Sequence, residues 1–237
     1  MNLQLAEAHR RELLDLDTLL RADLAEQWRR LPLDDAVATR TLATGLAVDL
    51  VDYYGGLAAA GAADWYDQMR YDSRVAGRYT ARPVVPLIPE QVEANVRWSV
   101  GPMFDAVPRP GAALDRLAGS LQKLTAAADR ATVLNAARRD PVRVRWARSA
   151  RPTCCAFCAM LASRGAQYVS ETTASFDSHD HCFCIALPLF TAADTPPQAS
   201  QRFGSEYGEA RASLKAEGVE LTTANILAKM RTLTGRS

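Results

Sequence analysis

The sequence predicts a mainly α-helical protein with a small α+β module inserted late in the chain. Three observations lead there. Apolar residues recur at steps of three and four through most of the first 138 positions. A period-two alternation of apolar and basic residues appears in "VRVRWARSA", just beyond them. All five cysteines and two of the three histidines then fall within residues 154–184. The expected organisation is a helical N-terminal region (1–138), a compact module (139–192) and a helical C-terminal tail (193–237).

Residues 3–31 read as one long helix, because Leu13, Leu16, Leu20, Leu24, Trp28 and Leu31 form one stripe. Arg10, Arg11, Asp17 and Arg21 fall off it, and His9 reads as a solvated residue of a charged helix. Pro32 ends this helix. "LDDAVATR" starts a second, with acidic residues where the helix dipole favours them, and Val37, Leu42, Leu46, Val51 and Tyr54 continue it. The small residues of "GGLAAAGAA" allow either close helix packing or a break near Gly55–Gly56. Pro83, Pro86 and Pro89 mark "RYTARPVVPLIPE" as an extended connector. A helix over 90–104 and another over 111–138 follow, the latter with Leu114, Leu117, Leu121 and Leu124 inward. Trp28, Trp65 and Trp98 are expected in the core.

"VRVRWARSA" predicts a half-buried strand, with Val142, Val144 and Trp146 inward. "CFCIALPLF" (182–190) predicts a second strand, so that short antiparallel strands flank the cysteine window. "TAADTPPQAS" is a linker. Helices over 199–217 and 222–233 close the chain, the last with Thr222 or Thr223 as N-cap.

Apolar residues make up 48% of the chain, enough for a sizeable core, and the formal net charge is only +1. Coating nucleic acid by bulk charge is thereby excluded, though local charge is not. The N-terminal residues show no secretory apolar centre, and no run reaches the roughly 18 apolar residues of a membrane span. A soluble protein folding in a reducing cytoplasm is expected, where clustered cysteines point to metal or redox chemistry rather than disulfides.

Cys155 and Cys158 form a C-x-x-C pair, and His179, Cys182 and Cys184 form H-x-x-C-x-C after 20 intervening residues. A C-x-x-C turn sets two sulfurs on one side of a knuckle, and a second pair from elsewhere completes a tetrahedron. The expected ligands of a structural Zn2+ are Cys155, Cys158 and His179, with Cys182 or Cys184 as the fourth and His181 as a further candidate. Cys154 diverges from Cys155 in either a strand or a helix and is expected outside the shell. Large apolar residues in the window are few, chiefly Phe157, Met160, Leu161, Tyr168 and Phe176, so metal ligation would stabilise what a thin core does not. A redox C-x-x-C pair is the main chemical rival. A hydrolytic zinc would need a positioned base, and Glu171 is the only glutamate of the window. No phosphate-binding glycine loop, G-x-S-x-G or H-E-x-x-H motif occurs.

Arg138, Arg139, Arg143, Arg145, Arg148 and Arg151 make "RRDPVRVRWARSAR" a basic strip. It reads either as a solvated strand face or as a contact for an anionic partner, either DNA or an acidic protein surface.

The stretch from "VRWARSARPTCCAFC" to "DHCFCIALPLF", with its basic strand, C-x-x-C, helix closed by Gly165, H-x-x-C-x-C and Pro188, resembles the core of Mu F-like phage head morphogenesis proteins. The versions in phages of actinobacteria are the most similar. Asp180 stands where many members have proline. The resemblance covers roughly residues 135–237. It implies a minor capsid protein of the virion, lying in the capsid interior at the portal vertex and in the host cytoplasm during assembly. Portal and/or major capsid protein would be its partners, with packaged DNA as a further candidate. It also implies no enzymatic activity, no membrane and no small-molecule substrate. A zinc-stabilised nucleic-acid-binding module and a thiol oxidoreductase are the alternatives.

Overall fold

The computed structural model describes residues 3–165, 178–191, 194 and 197–237. Four helices make the body: α1 (Leu3–Trp28), α2 (Ala36–Asp72), α3 (Pro89–Ser99) and α4 (Pro110–Arg139), with a 3-10 turn at Gly101–Phe104. Strand β1 (Arg145–Ser149), helix α5 (Ala156–Ala162) and strand β2 (Ile185–Leu189) follow, and α6 (Gln198–Ala216) and α7 (Thr223–Thr234) close the fold. Among the described residues, no helix is long and apolar enough to cross a membrane.

Helix α2 runs unbroken through Gly55–Gly56 for 37 residues, about 55 Å at 1.5 Å per residue. Asp35 caps its start, accepting hydrogen bonds from the Val37 and Ala38 amides at 3.0 Å. The small residues resolve as close packing, not as a break. A Cβ on Gly55 would touch Val85 and Ala128 at 3.5 and 3.7 Å, and Ala58, Ala59, Ala62 and Ala63 are buried beside it. Leu20, Leu24, Trp28, Val51, Leu117 and Leu121 form one core between α1, α2 and α4. A second core joins Trp65, Tyr66 and Met69 of α2 to Trp146 of β1 and Leu187 and Leu189 of β2.

The two strands pair antiparallel, Trp146 opposite Pro188 and Arg148 opposite Ala186. Strand β1 is shorter than the alternating pattern, and Trp146 to Ser149 are all buried, because helices cover both of its faces. A third core holds Cys158, Cys182 and Cys184 with Met160, Leu161, Phe203, Leu214, Ile226 and Met230. Thr222 caps α7 as expected, accepting from the Asn225 amide, and Gly235 ends it in the left-handed conformation at φ 68°.

Three expectations from the sequence are overturned. His9 is 3% exposed, stacked on Trp65 and bonded through Nε2 to Asp129 at 2.5 Å. Arg10 is 2% exposed and donates to Ser149 Oγ at 2.7 Å. Trp98 is exposed, with the Arg116 guanidinium over its ring, because α3 buries Val92, Val96 and Ser99 instead.

Candidate metal centre

Each half of the cysteine window is held by a different device. Cys155 is the N-cap of α5, in extended backbone, and its sulfur accepts from the Cys158 amide at 3.4 Å. That turn is what a C-x-x-C spacing builds, with both sulfurs on one side. The second half enters as a loop just before β2. Helix α4 grips its backbone: Gln122 and Arg130 donate to the Cys182 carbonyl at 2.9 and 2.8 Å, and Arg130 donates to the Cys184 carbonyl at 2.9 Å. Cys182 and Cys184 precede the strand rather than lie in it. Pairing of β1 with β2 carries this loop to the start of α5.

Five donors meet there. The thiols and imidazole of Cys155, Cys158 and His179 lie within 4.8 Å of one another, and so do the thiols of Cys158, Cys182 and Cys184. Cys158 is common to both groups. Its sulfur is 3.6 Å from His179 Nε2 and 3.5 Å from Cys182 Sγ, while Cys155 Sγ is 2.9 Å from His179 Nε2. A tetrahedral zinc with its usual bond lengths separates sulfurs by about 3.8 Å and sulfur from nitrogen by about 3.6 Å. Two of the three distances match those of such an ion and the Cys155–His179 pair would open slightly, but the donors form two triads joined at Cys158, so a fourth ligand would have to close in from the second triad. His179 Nδ1 lies 2.6 Å from the Asp180 carbonyl, a hydrogen bond that leaves Nε2 as the donor facing the sulfurs.

The electrostatics divide the four thiols: contacts within the cluster hold Cys155 and Cys182 down, while Cys158 and Cys184 are pushed up. The hydrogen bond with Cys158, helped by His179 and opposed by burial, holds the Cys155 thiol down at about 4. The contact with Cys155 pushes His179 up to about 9. Arg148, 2% exposed, sets Nη1 at 4.0 Å from Cys158 Sγ.

Cys154 belongs to neither group, and burial raises its thiol to about 11. His181 also lies apart. Its backbone takes the left-handed φ of 62°, and its ring sits over Gly119 with Nδ1 at 3.2 Å from Arg21 Nη2. Tyr168, Glu171 and Phe176 fall outside the described residues.

The basic strip is divided by the fold. Arg138, Arg139, Arg143 and Arg151 are exposed, the last with its guanidinium 5.4 Å from the centre of the Phe183 ring. Arg145 is half-buried and donates to the Thr191 carbonyl at 2.9 Å. Arg148 faces the cysteines, so it is closed to an external anion, against the expectation for the strip.

Sequence reasoning missed the supports of the site, Gln122, Arg130 and Arg236. Arg236 donates to the carbonyls of Pro152 and Cys154, both at 2.8 Å, and forks onto Glu206 at 2.8 and 2.9 Å. Ser237 O accepts the Ala156 amide at 3.0 Å. These contacts join residues 30 to 84 positions apart, beyond any local pattern. The one available signal was polar residues within apolar stripes, such as Gln122 beside Leu121.

No curated protein and no solved structure matches the chain. A family model described as "VG15 protein" matches residues 1–210, from the start of the helical body to within α6.

Proposed function

The chain belongs to the VG15 family, a family of viral proteins, and from that premise we propose that it is a minor capsid protein of a phage head, stabilised by structural zinc. The match supports the viral part. The finer role rests on the resemblance of residues 135–237 to Mu F-like head morphogenesis proteins. In this reading the protein is a non-enzymatic scaffold at the portal vertex inside the virion. It contacts portal or major capsid subunits, and Arg138, Arg139, Arg143 and Arg151 face an anionic neighbour such as packaged DNA.

The observation that carries the zinc part is the meeting of Cys155, Cys158 and His179 with Cys182 and Cys184 through the shared Cys158. Cys155, Cys158 and His179 would hold the ion with Cys182 as fourth ligand, since its sulfur stands 3.5 Å from that of Cys158. The ion would supply a cross-link between the start of α5 and the loop before β2. The protein's part is to present these donors as two triads that share Cys158, with Arg130, Gln122 and Arg148 fixing their supports.

Metal analysis of the purified protein should find about one zinc per chain. The Cys155→Ser/Cys158→Ser variant should hold none and lose stability. Equal stability of both proteins in chelator counts against the zinc. Co-expression with the portal protein of the same phage should yield a complex, and assembly that proceeds identically without this protein counts against the capsid role.

A further inference from the structure

Helix α2 leaves one of its faces open along its middle. Leu42 is 51% exposed, Tyr53 63% and Leu57 46%; Ala60 is exposed, and Leu46 and Gly56 are half-buried. At 100° per residue these six fall within about 100° of arc, opposite the buried Val51, Ala58 and Ala62. Leu42, Leu46, Asp49, Tyr53, Gly56 and Ala60 follow one another at steps of four, three, four, three and four. That is the spacing of a coiled-coil seam, here turned to solvent.

The face has an anchor and hollows. Tyr53 meets the Tyr54 ring edge-on, with centroids 5.1 Å apart, and the Tyr54 hydroxyl donates to Asp23, so the aromatic pair is braced from below. A Cβ on Gly45, Gly56 or Gly61 would meet no neighbouring atom within 4 Å. Bulk and hollow together let the side chains of a second helix interdigitate. Charge on this face has one sign. From Thr41 to Met69 the chain carries four aspartates and no Lys, Arg, His or Glu. Asp49 and Asp64 lie within the arc and Asp52 at its edge. All three are exposed, and none has a hydrogen-bond or ion-pair partner among the described residues.

We propose that residues 42–64 of α2 dock a basic amphipathic helix of another protein, with Leu42, Leu46, Tyr53 and Leu57 in the seam and Asp49, Asp52 and Asp64 facing its Lys or Arg side chains. Heptad spacing on an open face calls for a helical partner. The aspartates decide which one. A second copy of this face would set carboxylate against carboxylate with no cation to answer, and nucleic acid or an anionic lipid surface is repelled likewise. Asp49 lies within the seam, so covering it requires a cation opposite, and that pairing fixes the register. The inference goes beyond the capsid reading by naming a surface and the chemistry of its partner, and it is independent of the metal.

The test is fluorescence anisotropy of the full chain with a labelled synthetic peptide of about three heptads, Leu and Ala in its seam and Lys beside it, and with its Glu counterpart. The Lys peptide should bind and gain helical circular dichroism, and the Glu peptide should not bind. Asp49→Asn/Asp52→Asn/Asp64→Asn should weaken the Lys peptide about tenfold and flatten its salt dependence. Gly56→Leu puts a side chain into open space and a better helix former into α2, so it should unfold no earlier than the natural chain. By filling the hollow it should weaken the Lys peptide at least about tenfold. Equal binding of the two peptides, undiminished binding to Gly56→Leu, or no binding of the Lys peptide would each overturn the inference. So would a dimer of the chain alone in sedimentation that Gly56→Leu abolishes, which would make a second copy the occupant. The peptide result does not depend on a portal complex, so failure of the capsid reading and failure of this one are told apart.

Discussion

The helical body and the cysteine region solve the same problem with different materials. Between α1, α2 and α4 the core is filled by large side chains, Leu20, Leu24, Leu117, Leu121, Tyr66 and Met69 among them, each no more than 1% exposed. Around α5 the core is smaller, and it mixes Met160, Leu161, Phe203, Leu214, Ile226 and Met230 with alanines and three cysteines. Fewer buried apolar residues meet there than in either cluster of the body, so that region gains less from burial. It has polar and ionic fastenings in its place: the donor cluster, Arg148 against sulfur, and Arg236 across the knuckle. The difference teaches that the two regions should fail by different routes, one through its cavities and the other through its cross-links.

The largest separation is expected from the metal. Chelation, or Cys158→Ser at the residue shared by both donor groups, should release α5–α7 at a cost on the order of 10 kcal/mol in zinc-bound stability. The body should keep most of its helical circular dichroism and its amide protection. Hydrogen exchange would show the split directly, and uniform loss of protection across both regions would break the comparison. Leu117→Ala is the converse. Emptying a fully buried position of the body should cost about 3 kcal/mol by denaturant unfolding. It should leave the metal affinity within about twofold, since no donor rests on that side chain.

Arg236 gives the next effect. Its fork onto Glu206 and its bonds to the Pro152 and Cys154 carbonyls hold the chain beside the first thiol pair. Arg236→Ala should destabilise the cysteine region by about 2 kcal/mol and speed metal loss to chelator, while Arg236→Lys, lacking the planar fork, recovers only part. The pH dependence follows from Glu206. Burial works to raise its pKa, but the hydrogen bonds from Arg236 and Arg202 leave it below the usual 4.5. A carboxylate depressed on folding stabilises above its unfolded value and loses that contribution as pH falls through the folded one. The stability advantage of the natural chain over Glu206→Gln should therefore be constant from pH 7 to about 5 and shrink below about 4.5. An advantage unchanged at pH 3 would remove Glu206 from the fastening.

The helices of the body were legible because their signals are local. The Leu13–Leu20–Leu24–Trp28 stripe is buried, and Pro32, Pro89 and Pro110 punctuate where the chain turns. The donor types and spacing at the candidate site were legible for the same reason. His9 was misread although it sits on the stripe of Ala6, Leu13 and Leu20. Its partner Asp129 is 120 residues away, and a polar residue on an apolar stripe discloses burial without disclosing what satisfies it. Trp98 was misread from residue type, whereas the Val92–Val96–Ser99 spacing places it off the buried face. Arg148 was misread because alternation sorts residues onto two faces but does not say whether the second is covered.

The smallest effect probes the seam between the two regions. At Gly119 of α4 an added Cβ would meet His181 Nε2 at 2.7 Å, His181 Cε1 at 2.9 Å and Asp180 Cβ at 3.2 Å. Glycine in a helix interior ordinarily costs about 1 kcal/mol against alanine, so Gly119→Ala at an open position would stabilise. Here the ring must swing away and surrender its contact with Arg21, and the loop carrying His179 and Cys182 is displaced with it. The substitution should destabilise by about 1 kcal/mol and weaken metal binding, although residue 119 touches no ligand. Adding His181→Ala should reverse the sign by vacating the space, leaving the double variant at least as stable as the natural chain. A Gly119→Ala protein that is stabilised with metal affinity intact would show that the body and the knuckle meet loosely, and that the cysteine region is held by its own fastenings alone.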